Sequence, residues 1–495
     1  MSTTSRVAKS SLFLLAIQMV QRSLGIISTL ILARLLTPEH FGIVALVTIA
    51  LQFFELLGET GNQQYIVQKE HVNGDDLNTA WSMDIAIKSG IALLVILTSP
   101  LIAGWFDEPE LAAALAVASL ALPIRALKTP GMMRLAREIN YRPLFRLTLW
   151  QKGISFVTVV TIALLEPSHW AIIIGNLVSA IILAVGSYWV DDHRPRWTLT
   201  HLRRQWFFSR WLLLRGLVGF TRSQIDNLLV SRFFGVSQLG GYNLVREVSL
   251  LPAVSAIIPM SEPLLAAIAQ SKSDLTELAF RVRLSLAMMV TLLTPITVFI
   301  MLYPELIVRV LLGPDWDSYA NLLRPFGLFF FTFCLFALVS DAIIALGEVK
   351  RLFVFDLAST LIIIGALFLF GTGGLDAMAW ARGWLAVATT VVLLLVLDHW
   401  ARFDLPRLIW LCLPTTVASL ASGWLVTLPD LTTLNNLAEF LLRGSLFVVL
   451  VGLMTWCLAV VVLGRSEEWG QVQSLIHLLC KTTRQRDSAR EDFSN

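Results

Sequence analysis

Apolar runs of about 20 residues recur along the chain, separated by short stretches of charge or of proline and glycine. Read between these breaks, the pattern predicts about fourteen membrane-spanning helices. Their approximate limits are 10–33, 40–61, 80–104, 110–130, 145–165, 168–190, 208–231, 238–264, 284–305, 321–346, 352–371, 375–397, 407–428 and 440–463. Some runs, such as 170–190, hold no charged residue; others carry charge in their interior. The expected fold class is an all-α polytopic membrane protein.

The loops between the runs alternate in character. Basic residues cluster at Arg6 and Lys9, at Arg134, Arg137 and Arg142, at Arg194, Arg196, Arg203 and Arg204, and in the tail at Lys481, Arg484, Arg486 and Arg490. The intervening loops are acidic or neutral, as at Asp107-Glu108-Pro109-Glu110 and Asp315-Trp316-Asp317. By the positive-inside rule both termini are cytoplasmic, which requires an even number of spans and agrees with fourteen. The positive start followed by apolar residues could pass for a signal peptide. No small-residue cleavage site follows, so it reads as the first span.

One pattern occurs twice. ILARLLTPEHFGIVAL ends the first span, and LVSRFFGVSQLGGYNL ends the seventh. With Arg34 set on Arg232 they align without a gap, and Phe41-Gly42 falls on Leu239-Gly240. Each copy closes the first helix of a six-helix group, which points to a duplicated bundle. The expected organisation is a first lobe at 1–190 with spans one to six and a second at 208–398 with spans seven to twelve. Two further spans follow at 399–465, then a cytoplasmic tail at 466–495. The segment 191–207 between the lobes is basic and aromatic, with Leu199, Leu202 and Trp206 at helical spacing. It reads as an amphipathic linker helix on the cytoplasmic membrane face. The tail repeats that idea in a stripe of Trp469, Val472, Leu475, Ile476 and Leu479.

Composition sharpens the class. Of 495 residues, 56% are hydrophobic and 15% charged, where a soluble protein carries about a quarter charged. The four cysteines show no pairing or metal spacing, so neither disulfides nor a bound metal is expected. No nucleotide-binding glycine loop, HExxH or GxSxG is present, so no catalytic residues, cofactor or nucleic-acid partner are expected, and the chain does not read as an enzyme.

The remaining candidate chemistry is charge inside the bilayer, where a central Arg or Asp costs roughly 2.5–3.5 kcal/mol on insertion scales and so faces a cavity or a partner. Arg22 sits in the middle of span one, Glu55 and Glu59 are one turn apart in span two, and Asp84 and Lys88 one turn apart in span three. Arg215, Arg222 and Asp226 in span seven fall within about 40° of one another on one helix face. Arg246 lies in span eight. Asp84–Lys88 and Arg222–Asp226 also have the spacing of pairs that neutralise themselves along one helix. Charges near cytoplasmic ends, such as Arg125, Lys128 and Asp356, read as snorkelling, and Arg34 and Arg232 as helix-end caps or headgroup contacts.

These residues carry a family resemblance. The corner ILARLLTPEHFGIVAL, QQYIVQKE after the second span, and RSQIDNLLVSRFFGVSQLGGYNLVREVSLLP at spans seven and eight resemble the bacterial polysaccharide transporters. These are the Wzx-type oligosaccharide flippases, similar to the colanic acid and teichuronic acid exporters. The wider group includes MATE-type multidrug antiporters and the lipid II flippase. The resemblance implies a V-shaped, MATE-like pair of six-helix lobes around a central cavity. It implies alternating-access movement of undecaprenyl-pyrophosphate-linked oligosaccharide across the bacterial inner membrane, for lipopolysaccharide, capsule or exopolysaccharide. Membrane lipids and the polysaccharide polymerase machinery are the further partners it implies. It makes Arg22, Lys88, Arg215, Arg222 and Arg246 the expected cationic substrate contacts and Glu55, Glu59 and Asp226 the expected ion-coupling acids. Two other readings compete. A drug or cation antiporter calls for a net acidic cavity. A membrane glycan polymerase or ligase calls for a large catalytic external loop, whereas the longest external loop expected here has about 15 residues.

Overall fold

The computed structural model describes residues 3–58, 72–138, 140–200, 202–258, 274–429 and 435–464, with a few residues between and just after these stretches. Among them every regular element is a helix, with no strand. In order the α-helices are α1 (Thr3–Ala33), α2 (Pro38–Leu57), α3 (Gly74–Trp105), α4 (Glu110–Ser119), α5 (Ala121–Ala126), α6 (Gly131–Arg137), α7 (Arg142–Leu165), α8 (Trp170–Val190) and α9 (Leu202–Phe234). They continue as α10 (Val236–Pro252), α11 (Leu275–Leu302), α12 (Pro304–Leu311), α13 (Leu323–Leu346), α14 (Val349–Phe370), α15 (Leu375–Ala401), α16 (Leu405–Thr427) and α17 (Asn436–Leu463).

Among the described residues, eleven helices are long and apolar enough to cross a membrane. The other three predicted spans depart from that pattern for visible reasons. The 110–130 span is broken into α4 and α5 at Leu120. The 208–231 span lies within α9, a 33-residue helix diluted by Arg215, Arg222, Asp226 and Arg232. The 238–264 span begins as α10, which ends at Pro252 and passes into a π-helical turn at Ala253–Ile257.

The segment at 191–207 differs from its expected helix. Residues 191–199 are not helical, and the helix that starts at Leu202 runs unbroken to Phe234. Pro195 cannot supply a helical N–H donor, and the backbone is instead bound by side chains of α3. The Arg196 N–H donates to Asn78 Oδ1 at 3.2 Å and the Thr198 N–H to Ser82 Oγ at 3.0 Å. Asp191 is 6% exposed and pairs with Arg134 at 2.7 Å. The tail stripe at Trp469–Leu479 lies outside the described side chains.

Contacts divide the chain into two compact units. The first comprises Met1–Ser255, Leu311–Leu322 and Phe353–Arg382. In it α1 packs on α7, α7 on α8, α2 on α10, α3 on α4 and α5, and α9 on α2 and α10. Outward side chains are apolar: Leu93, Leu97 and Leu101 on α3 are 57%, 67% and 74% exposed, as a lipid-facing surface requires.

The duplicated corner lies inside this unit. In the first copy Thr37 caps α2, its hydroxyl accepting from the His40 N–H at 3.5 Å, and Pro38 opens the helix. In the second copy the aligned position is Gly235, which turns the chain with φ 88°. The two copies meet at their glycines. A Cβ on Gly42 would overlap the Val236 carbonyl, and one on Gly240 would overlap the Pro38 carbonyl. Trp316, fully buried, donates from Nε1 to the Ala33 carbonyl at 2.7 Å and stacks edge-on against Phe41, centroids 5.4 Å apart.

The second unit comprises Ala256–Val310, Leu323–Leu352 and Gly383–Asn495. Here α11 packs on α13 and α16, and α16 on α17, around Phe299, Tyr303, Phe440 and Phe447. Arg443, 7% exposed in α17, donates to Glu439 at 2.8 Å and to the Val426 carbonyl at 2.9 Å. Beyond the last span, Glu468 is 2% exposed and binds Arg283 at 2.8 Å and Arg407 at 3.0 Å, while Arg283 also donates to the Phe403 carbonyl. Burial alone would raise the Glu468 carboxyl. Hydrogen bonds from the backbone, Arg407 and Arg283 outweigh it and hold the group below its usual range. Because the folded value is the lower one, this carboxylate stabilises the fold fully above about pH 4.3, and the contribution is lost as pH falls through the lowered value. Thermal unfolding of the detergent-solubilised protein is expected to show a melting temperature that falls below about pH 4.3. Glu468→Gln lowers it at neutral pH by the equivalent of roughly 3 kcal/mol and flattens the acid limb. An unchanged acid limb in the variant would remove Glu468 as its source.

Candidate functional site

Two features of the first unit bring polar chemistry into the apolar helices. One is a charge cluster and the other a cavity.

The cluster is built by α9, α10, α14 and α15. Asp226, 0% exposed on α9, accepts from Arg246 at 2.9 Å, from Arg382 at 3.3 Å and from the Tyr242 hydroxyl at 3.3 Å. Arg222, one turn earlier, pairs with Asp356 of α14 at 2.7 Å. The backbone joins in: Arg382 donates to the Arg222 carbonyl at 3.2 Å and Arg246 to the Ser223 carbonyl at 2.9 Å. Three guanidinium groups and two carboxylates therefore pair with one another around the fully buried Asp226, and pairing is the condition under which buried charge persists.

The cavity has a volume of about 320 Å3 and is lined by residues of α1, α2, α7, α8, α9 and α10. About half of its lining is polar, and a hydrogen-bonded ladder of amides runs along one wall. Gln224 Nε2 donates to Gln52 Oε1 at 3.1 Å, Asn227 Nδ2 donates to Gln224 Oε1 at 2.9 Å and to Asn243 Oδ1 at 3.1 Å, and Asn243 Nδ2 donates to Glu247 Oε1 at 3.1 Å. Lys152 and Asn176 face the ladder from α7 and α8. Gln52, Asn176 and Glu247 are exposed, and on α8 the other exposed residues, Ile174, Ile181, Val185 and Trp189, are all apolar. A second cavity of about 300 Å3 shares Gln21, Gly25, Thr29 and Glu247 with the first and holds Arg22 among apolar walls that include Ile26, Leu30 and Leu251.

The sequence-predicted residues separate into groups. Arg222, Asp226 and Arg246 are brought together in the cluster. Arg22 borders the second cavity. Glu55 pairs with Arg125 of α5 at 3.0 Å, each about 40% exposed, and Lys88 is half-buried on α3 and lines neither cavity. Arg215 lies in α9 and Glu59 just beyond α2, and both side chains lie outside the described residues. Asp356, read from the sequence as a helix-end charge reaching for the interface, is the partner of Arg222. Arg382 and Lys152 were missed. The signal for both was present, a permanently or normally charged residue within an apolar span, but each lies near enough to a span end to pass as a boundary charge. Uncharged Gln52, Asn176, Gln224 and Asn243 escape any search based on charge.

The helices define an all-helical, multi-pass membrane protein with polar groups in its interior. The family described as "Polysaccharide biosynthesis protein" matches residues 31–321, more than half of the chain, and the chain belongs to it. The chain is 25% identical over 289 residues to the succinoglycan biosynthesis transport protein ExoT of Rhizobium meliloti (strain 1021), covering 58% of this chain and 58% of that protein. It is 22% identical over 305 residues to the lipopolysaccharide biosynthesis protein WzxC of Escherichia coli (strain K12), covering 61% and 62%. The match thus spans about three-fifths of the length of each relative. The fold is similar to that of the lipid II flippase MurJ in an inward closed conformation, with a TM-score of 0.76 at 16% identity, covering 90% of this chain and 98% of that one.

Proposed function

We propose that this chain carries lipid-linked oligosaccharide units from the cytoplasmic to the outer leaflet of the bacterial inner membrane by alternating access. In this reading it has fourteen spans in two six-helix lobes plus two, with both termini cytoplasmic, and acts as a carrier without chemistry of its own. The observation that carries the reading is the amide-lined cavity within apolar helices, since polar groups at bilayer depth belong to a water-filled substrate path. Family membership, one relative named for succinoglycan biosynthesis transport and another named for lipopolysaccharide biosynthesis support this substrate class. Arg22, beside the cavity, is the predicted contact for the anionic linkage, because a guanidinium stays charged and matches phosphate oxygens in pairs. Glu55 is the coupling candidate of choice, and Asp226, enclosed by two arginines, is assigned to structure.

The test is a deletion strain assayed for lipid-linked oligosaccharide on each leaflet. Accumulation on the cytoplasmic leaflet with loss of surface polymer, rescued by this chain, is the expected result. Arg22→Ala is expected to reduce that rescue by roughly tenfold at unchanged protein level, the loss of one charge-assisted contact. Oligosaccharide that reaches the outer leaflet unpolymerised would transfer the chain to the polymerase class. No change in either pool would favour drug or cation efflux.

A further inference from the structure

We infer that the polar cavity of the first unit binds the carbohydrate part of the substrate, reading it as an uncharged polyhydroxyl ring through side-chain amides. This rests on the transport reading above. Charge comes first. The lining contains one cation, Lys152, and one anion, Glu247, so the cavity as a whole has no preference for an anionic linkage. The arginines Arg222, Arg246 and Arg382 are engaged with Asp356 and Asp226 in the cluster. Unspent hydrogen-bonding capacity comes second. Gln21, Asn176 and Lys152 have no hydrogen-bond or ion-pair partner among the described residues, and Gln52 uses its carbonyl oxygen, so that its amide NH2 remains to donate. Such groups within spans are costly unless they meet water or a ligand that replaces water.

The geometry suits a sugar in particular. The ladder fixes the orientation of Gln52, Gln224, Asn243 and Glu247 before anything binds, so little side-chain freedom is lost on binding. The lining amides offer both donors and acceptors, as hydroxyl groups, which both donate and accept, require. Phe41 and Phe156 supply flat apolar wall beside them, against which the C–H face of a pyranose can lie. The volume of about 320 Å3 is at the lower end for small-molecule sites.

Binding to purified full-length protein, followed by tryptophan fluorescence, tests this with two probes: undecaprenyl pyrophosphate, and the same lipid bearing one hexose. Wild-type protein is expected to bind the hexosyl lipid about tenfold more tightly, the worth of one or two neutral hydrogen bonds. In Gln52→Leu and Asn176→Leu the difference is expected to shrink to within about twofold while affinity for the bare lipid is retained, which also reports a folded protein. Asn176→Ser, which removes the amide with less added apolar bulk, covers a Leu variant that does not fold. Equal affinities in the wild type, or a difference that survives in the variants, overturns the inference and leaves the transport reading standing. Binding of neither lipid by the wild type overturns both.

Discussion

Asp226→Ala is expected to lower the stability of the protein by about 3–5 kcal/mol, the cost of leaving buried charge without its partner. Arg246 and Arg382 both donate to Asp226, and their side chains are 11% and 4% exposed. Neither guanidinium can escape by deprotonation. The measurement is thermal unfolding of the purified protein, beside its level in the membrane. The triple variant Asp226→Leu, Arg246→Met, Arg382→Leu is expected to recover most of the loss, because replacing a whole buried ion cluster by apolar groups is often neutral. An Asp226→Ala protein with wild-type melting and no export would make this carboxylate a participant in transport and return it to the coupling acids.

Gly240→Ala is expected to cost about 3 kcal/mol, large for one methyl group, because the obstacle is backbone. The new Cβ would overlap the Pro38 carbonyl and lie 2.8 Å from the Gly42 nitrogen. Neither can rotate away as a side chain would. Gly104→Ala on α3 is the control: no atom comes within 4 Å of its added Cβ, so helix propensity makes it neutral or slightly stabilising. Equal melting temperatures for the two variants would mean that α2 and α10 do not meet as described.

Helix content was legible in the sequence because apolar periodicity and length at bilayer depth leave few alternatives. Hydropathy fails at the same places where the interior is polar: α9, with its arginines, and α10, which ends in a π turn. The site was legible in part. Arg22, Arg222, Asp226 and Arg246 stand out because charge is rare in spans. Their partners do not, since nothing in the chain connects Arg222 with Asp356 across 134 residues or Asp226 with Arg382 across 156. One-turn spacing drew attention to Arg222–Asp226 as a pair, whereas Asp226 is held by Arg246 and Arg382 from other helices. The amide ladder was invisible to a search for charge, and the segment at 191–199 was misread because its side-chain spacing says nothing of Asn78 and Ser82 waiting to bind its backbone.

The contact between the duplicated corners is reciprocal. Val236 is the counterpart of Pro38, and Gly240 the counterpart of Gly42. Gly42 approaches the Val236 carbonyl, and Gly240 approaches the Pro38 carbonyl. Residue i of one copy touches residue j of the other, and j touches i, which is the signature of an isologous two-fold interface. The two helix starts therefore meet about a local axis of near-symmetry at these glycines, and a change at either position is felt at its counterpart.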